Sequence, residues 1–235
     1  MMRILVAQMT RMGDVLQTTP LIRALRRQHP DAHIAALVRR MGRPILERNP
    51  DVNDIIVYDE EPMFRDMRAQ DSDRLLAAYE SAERFIDKIR RGRFDVVYNC
   101  THNIASAMLF KLAGVPKIVG AHLSDDWRFV LRGGWTNYFF ASVLHREYNA
   151  LNLCDIARHF AEQRNGTPRV VFDVQYEDRQ FVESLLADHG IAPDEPLVCL
   201  QLGASEDRKR WPVDSFAAVA DELAARYGAR IFLVG

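Results

Sequence analysis

The most restrictive feature of the chain is a regular alternation of short apolar runs with helical segments, starting at its first residues. Arg3–Ala7 (RILVA) is a continuous apolar run, as expected for a parallel strand buried on both faces. A polar turn over Gln8–Gly13 follows, then a helical pattern from about Asp14 to Gln28 with apolar residues at Val15, Leu16, Leu21, Ile22 and Leu25. Pro20 falls inside this pattern, so the helix is predicted to start near Thr18 or Thr19, with Pro20 in its first turn. His33–Val38 predicts a second strand, Arg43–Arg48 a short helix and Asp54–Tyr58 a third strand. After a polar stretch come a long helix over Arg74–Arg90, a strand at Phe94–Tyr98, a helix at Ile104–Leu112 and a short strand at Lys117–Gly120. This spacing specifies an α/β fold, a parallel sheet with helices on both faces, doubly wound if the crossovers are right-handed.

The pattern changes after that sheet. Ser124–Leu144 is aromatic-rich and reads as irregular, serving as core packing or a covering flap. Glu147–Phe160 predicts a helix, Gln163–Pro168 a linker, Val170–Val174 an extended segment, and Glu177–His189 a helix ended by Gly190. A new unit then opens: strand Leu197–Gln201, loop Leu202–Arg210, helix Pro212–Tyr227 and strand Arg230–Val234. We therefore expect a first domain over 1–165, a transition over 166–195 and the start of a second domain over 196–235. One βαβ unit buries too little surface to stand alone and leaves an open strand edge, so the domain is expected to continue past Gly235.

Composition removes several function classes. A formal net charge of −1 provides no global field to recruit nucleic acid or an anionic membrane. The basic clusters at Arg23, Arg26, Arg27 and at Arg39, Arg40, Arg43 read as solvated helix faces. Cys100, Cys154 and Cys199 show no metal-ligand spacing and are expected to be buried, reduced thiols. Without a long apolar run near the N-terminus or a membrane-spanning stretch, a cytoplasmic location is expected, with at most peripheral contact at the inner face of a membrane.

Two loops carry the chemistry. Met9-Thr10-Arg11-Met12-Gly13-Asp14 joins the first strand to the first helix, at the sheet end where open α/β folds bind ligands. Gly13 permits a tight turn or a close approach to a ligand. Asp14 suits two roles equally: general base for an attacking hydroxyl, or helix cap. The second loop, Gln201-Leu202-Gly203-Ala204-Ser205, precedes Lys209-Arg210-Trp211-Pro212 and a helix. Small residues before a helix N-terminus suit an anion, and Lys209 and Arg210 suit a diphosphate leaving group. Alternatively, Trp211-Pro212 staples the loop to the helix while Arg208, Lys209 and Arg210 face water. Neither the dinucleotide-binding glycine pattern nor the Walker pattern is present, which disfavours an epimerase or oxidoreductase.

Taken together, RILVAQMTRMGDVLQTTPLIRALRRQHPDAHIAALV and LVCLQLGASEDRKRWPVDSFAAVADEL resemble two segments of glycosyltransferase family 9, the lipopolysaccharide heptosyltransferases, in the family's order. The family opens with a strand, a GD turn, T-x-P and a Leu/Arg-rich helix; its second domain opens with PGAS-like and K-x-W-P elements. Leu202 stands where a proline is common. The resemblance implies a GT-B architecture of two Rossmann-like domains, acceptor on the first and nucleotide sugar on the second. It implies inverting transfer of a sugar, a heptose by family, from a nucleotide-diphosphate donor such as ADP-heptose to a lipid-linked or oligosaccharide acceptor, with no cofactor and no catalytic metal. Asp14 is then the base in an acceptor-side loop with Thr10, Arg11, Met12 and Gly13. Lys209, Gly203, Ala204 and Ser205 bind the donor phosphates. A non-catalytic protein of the same fold is the alternative.

Other signals are weaker. Asp71-Ser72-Asp73 imitates the DxD of metal-dependent sugar transferases but lies where a helix cap belongs. His102 and His122 follow predicted strands at the ligand-binding end, with a satisfied or exposed histidine as the default reading.

Overall fold

In the computed structural model, which describes residues 1–69, 71–162, 169–204 and 206–235, the first apolar run forms strand β1 (Arg3–Gln8). Ile4 and Val6 pack into one hydrophobic cluster and Leu5 and Ala7 into another, because successive side chains of a strand point to opposite faces. Each large side chain buried this way contributes about 1.5–3 kcal/mol. The chain divides into two units, Met1–Asp173 and Val174–Gly235.

The first unit alternates strands and helices. After β1 come α1 (Met12–Gln28), β2 (His33–Arg39), α2 (Arg43–Leu46), β3 (Asp54–Tyr58), α3 (Glu61–Met67), α4 (Ser72–Arg91), β4 (Val96–Asn99) and α5 (Ile104–Leu112). β5 (Ile118–Leu123), β6 (Phe129–Arg132), α6 (Gly134–Leu144) and α7 (Leu153–His159) follow. The six strands order as β3-β2-β1-β4-β5-β6, so the order reverses between β1 and β4. Residues of α1, α6 and α7 join the Ile4/Val6 cluster, and residues of α4 and α5 join the Leu5/Ala7 cluster. The sheet is thus doubly wound.

Several elements differ from the expectation for physical reasons. Helix α1 starts at Met12, and Pro20 lies in its interior. A proline there removes one N–H and leaves the carbonyl four residues earlier without its donor. The Thr19 hydroxyl supplies that donor, bonding the Leu16 carbonyl at 2.7 Å. The same hydroxyl accepts from the Val171 N–H at 2.8 Å. The aromatic segment is not irregular: β5 runs on to Leu123, β6 returns antiparallel to it, and α6 packs Trp135, Tyr138 and Phe139 against the core. The predicted helix at Glu147–Phe160 is cut short because the Asn149 side chain accepts from the Leu151 N–H at 3.1 Å and holds a turn. Asn152 then caps α7. Val170–Val174 belongs to no strand, and the predicted linker at 163–168 lies outside the described residues.

The second unit contains α8 (Tyr176–Asp188), β7 (Leu197–Gln201), α9 (Val213–Tyr227) and β8 (Arg230–Val234), with β7 and β8 parallel. Helix α8 falls within the expected transition over 166–195 and groups with this unit. Of the three thiols, Cys100 is buried, Cys154 half-buried and Cys199 exposed. The expectation of uniform burial is met only in part at Cys154 and fails at Cys199, which shares the exposed side of the β7 alternation with Leu197 and Gln201. Among the described residues, no helix is long and apolar enough to cross a membrane.

Replacing Thr19 by Val keeps its shape and removes both hydrogen bonds. We expect a loss of about 1–3 kcal/mol in unfolding free energy, read by urea denaturation, with Thr19→Ser close to the native protein.

Candidate functional site

In an open α/β sheet, ligands bind beyond the carboxyl ends of the strands, where strand order reverses. Here that point lies between the loops following β1 and β4, and those loops line a cavity of about 240 Å³. Thr10 and Asp14 come from the first loop and the helix start it leads into, Thr101 and His102 from the second, and the lining also includes the apolar Phe139 and Phe160. The loops are clamped together. The Met9 N–H donates to Thr101 Oγ1 at 3.0 Å, and the Thr101 N–H donates to Asn99 Oδ1 at 3.2 Å. Asn99 is in turn fixed by donating to the Ala121 carbonyl and to Ser106 Oγ.

Asp14 occupies the first turn of α1. Its Oδ2 accepts from Thr10 Oγ1 at 2.7 Å and from the Arg11 N–H at 3.3 Å. The capping reading is therefore realised, since Arg11 is the N-cap residue of α1, yet the same carboxylate borders the cavity. The two readings are compatible in one residue. The remaining residues of this loop fare differently. Arg11, Met12 and Gly13 are exposed at the helix start and do not line the cavity. Gly13 lies in the first turn of α1, and nothing comes within 4 Å of where its Cβ would be, so it makes no close packing contact with the described residues.

His102 is the residue that sequence reasoning undervalued. Its ring stacks on Phe139 at 4.3 Å and meets Phe160 at 5.4 Å and Phe140 at 5.5 Å. Its Nδ1 is buried without a hydrogen-bond partner among the described residues, and its backbone adopts φ 55. Burial pushes the imidazole pKa down to about 4, so the ring is neutral near physiological pH. The available signal was the aromatic run Tyr138-Phe139-Phe140, whose helical placement supplies two of these rings. His122, by contrast, lies within β5 and meets the Gly120 carbonyl through Nδ1 at 3.2 Å.

In the second unit, Gly203 and Ala204 follow β7, and the Leu202 N–H continues the ladder to the Val234 carbonyl at 2.9 Å. Ser205 lies outside the described residues. Lys209 ends a short 3₁₀ helix, Asp207–Lys209, and its ammonium pairs with Glu206, which also binds Arg208. Arg210 pairs with Asp207 at 3.3 Å. Trp211 meets Phe216 of α9 edge-on at 5.0 Å, so the stapling role is realised. The basic residues are held by neighbouring carboxylates. Asp71, the first carboxylate of the DxD-like triplet, caps α4 by accepting from the Arg74 N–H at 2.9 Å.

The family model for glycosyltransferase family 9 (heptosyltransferase) matches residues 82–235, about two-thirds of the chain. The chain belongs to this family. The lipopolysaccharide heptosyltransferase 2 of Salmonella typhimurium is 26% identical over the whole of this chain, which spans 63% of that relative. The solved glycosyltransferase family 9 structure from Veillonella parvula superposes with a TM-score of 0.69 at 22% identity, covering 99% of this chain and 62% of that one. E. coli ADP-heptose lps heptosyltransferase II gives a TM-score of 0.64 at 21% identity, covering 100% of this chain and 64% of its own. The chain therefore spans less than two-thirds of the length of each, and its fold is of the GT-B class seen in the family.

The His102 environment gives a pH test. An unfolded histidine binds its proton below about pH 6.5, whereas this one stays neutral in the fold down to about 4. Its contribution is therefore intact above the unfolded pKa and is lost as pH falls through that window, with a slope approaching about 1.4 kcal/mol per pH unit. His102→Asn, which tolerates positive φ, is expected to flatten the unfolding free energy between about pH 6.5 and about pH 4, measured by urea titration at stepped pH.

Proposed function

We propose that the chain is the larger part of an inverting glycosyltransferase that moves a heptose from ADP-heptose to a lipopolysaccharide-core acceptor. The observation that carries this reading is the placement of Asp14, a carboxylate anchored through one oxygen at the rim of the cavity where strand order reverses. Membership of the family supplies the reaction class, and the relatives' names supply heptose, ADP and lipopolysaccharide.

In the proposed reaction, Asp14 takes the proton of an acceptor hydroxyl. The acceptor oxygen bonds to the anomeric carbon from the face opposite the leaving group. The bond from that carbon to the phosphate oxygen breaks, and its electron pair leaves on the nucleoside diphosphate, inverting the centre. The loop Gly203–Ser205 and the start of α9 receive the diphosphate. Lys209 offsets the charge that develops on the diphosphate, leaving Glu206 to do so. The scheme uses no metal and no cofactor. A lipid-linked acceptor would bring the enzyme to the inner face of the cytoplasmic membrane by peripheral contact.

A second reading, a non-catalytic binding protein of the same fold, is favoured by one observation: Lys209 and Arg208 are both closed on Glu206. Two measurements on the full-length protein separate the readings. Calorimetry should show ADP-heptose binding more tightly than UDP-sugars, with Lys209→Ala weakening it about tenfold or more, the scale of one charge-assisted hydrogen bond. Asp14→Asn should keep that affinity and lower turnover about 100- to 10,000-fold. Failure of every nucleotide sugar to bind the folded full-length protein would establish the non-catalytic reading.

A further inference from the structure

The hydrogen bonds around Asp14 contain one proton fewer than their contacts call for. Thr10 Oγ1 lies 2.7 Å from Asp14 Oδ2 and 2.8 Å from Gln8 Oε1. Both neighbours are acceptors, and a hydroxyl has a single proton to donate. Turning the Gln8 amide over does not resolve this. Gln8 Nε2 faces the Cys100 carbonyl at 3.1 Å, a group that only accepts, so the nitrogen must point there and the oxygen toward Thr10. Thr18 offers no relief, because its hydroxyl donates to the Asp14 backbone carbonyl at 2.7 Å and faces the same Gln8 nitrogen at 3.5 Å. Gln8 is buried, which holds the amide in place.

We propose that Thr10 is a positioning residue for the base, a switchable donor shared between Asp14 and Gln8. The proposal rests on the reading of Asp14 as general base. While Asp14 is ionised, the Thr10 proton goes to Oδ2, because a bond to a charged acceptor is the stronger one. With the Arg11 N–H on the same oxygen, Oδ2 is occupied and the carboxylate is held in one rotamer, with Oδ1 as the oxygen that takes the substrate proton. As the acceptor O–H bond breaks and its proton bonds to Oδ1, the negative charge passes through the acceptor oxygen to the leaving diphosphate. Asp14 becomes neutral and Oδ2 a weaker acceptor, so the Thr10 proton turns to Gln8 Oε1. Gln8 thus provides an acceptor waiting for the donor that the carboxylate releases. Neither Thr10 nor Gln8 gains or loses a covalent proton.

The test uses the full-length protein, with ADP release from ADP-heptose and a heptose-deficient lipopolysaccharide as acceptor. Thr10→Val removes the donor and keeps the shape; kcat should fall about 10- to 100-fold, the scale of one charge-assisted hydrogen bond, with KM within about twofold. Thr10→Ser should restore kcat, and Thr10→Ala stands in if the valine variant does not fold. Combined with Asp14→Asn, Thr10→Val should add no further loss, because its effect passes through that carboxylate. A Thr10→Val enzyme with native kcat beside a crippled Asp14→Asn would overturn the inference alone, as would losses that simply multiply. An Asp14→Asn enzyme with native turnover would overturn the base reading and the role of Thr10 with it.

Discussion

Everything in the first unit depends on β1 being buried on both sides. A strand with apolar side chains on each face must be covered twice, and parallel neighbours can be reached only through crossover helices. With β2 on one side of β1 and β4 on the other, the chain must leave β1 and β4 toward opposite faces of the sheet. The crevice between their carboxyl ends is the geometric remainder of that arrangement. Asp14 and His102 both line the cavity there because each follows one of those two strands within a few residues.

Much of this was legible in the sequence. β3, α5, β7 and β8 have the bounds their residue patterns indicate, because each apolar run is flanked on at least one side by a polar residue, a proline or a glycine. Two of the misreadings share one cause, side chains that supply hydrogen bonds the backbone pattern cannot show. Pro20 looks like a helix start until Thr19 is seen to satisfy the orphaned carbonyl of Leu16. Glu147–Phe160 looks like one helix until the Asn149 side chain is seen to bind the backbone beyond it. The β5–β6 hairpin was masked by aromatic density, and its turn includes Trp127 at positive φ, a conformation that large residues rarely adopt.

The site was legible to a lesser degree. The turn singles out Asp14, which lines the cavity, but its contacts with Thr10, and those of Thr10 with Gln8, are three-dimensional and spacing alone does not specify them. His102 shows the reverse situation. A histidine after a strand is unremarkable in sequence, and it is its burial in the fold, beside three phenylalanine rings, that lowers its pKa. In the second unit, Arg208, Lys209 and Arg210 lie between β7 and α9, as the order of elements indicates, whereas their engagement with Glu206 and Asp207 was not foreseen. Ion pairs at the surface depend on rotamers, not on sequence order.

The Thr19 hydroxyl has a consequence for how such proteins can be cut and recombined. By receiving the Val171 N–H it ties the end of the first unit to the middle of α1, the helix whose first turn holds Asp14, and the Gln28 side chain donates to the Ala161 carbonyl at the C-terminal end of that helix. The first unit is therefore closed by a strap laid down more than a hundred residues after the helix it fastens. A chimaera that exchanges second units between relatives should be joined beyond this strap. A junction placed earlier leaves α1 unfastened, and any altered property of the chimaera would then report a loosened helix in place of the exchanged unit.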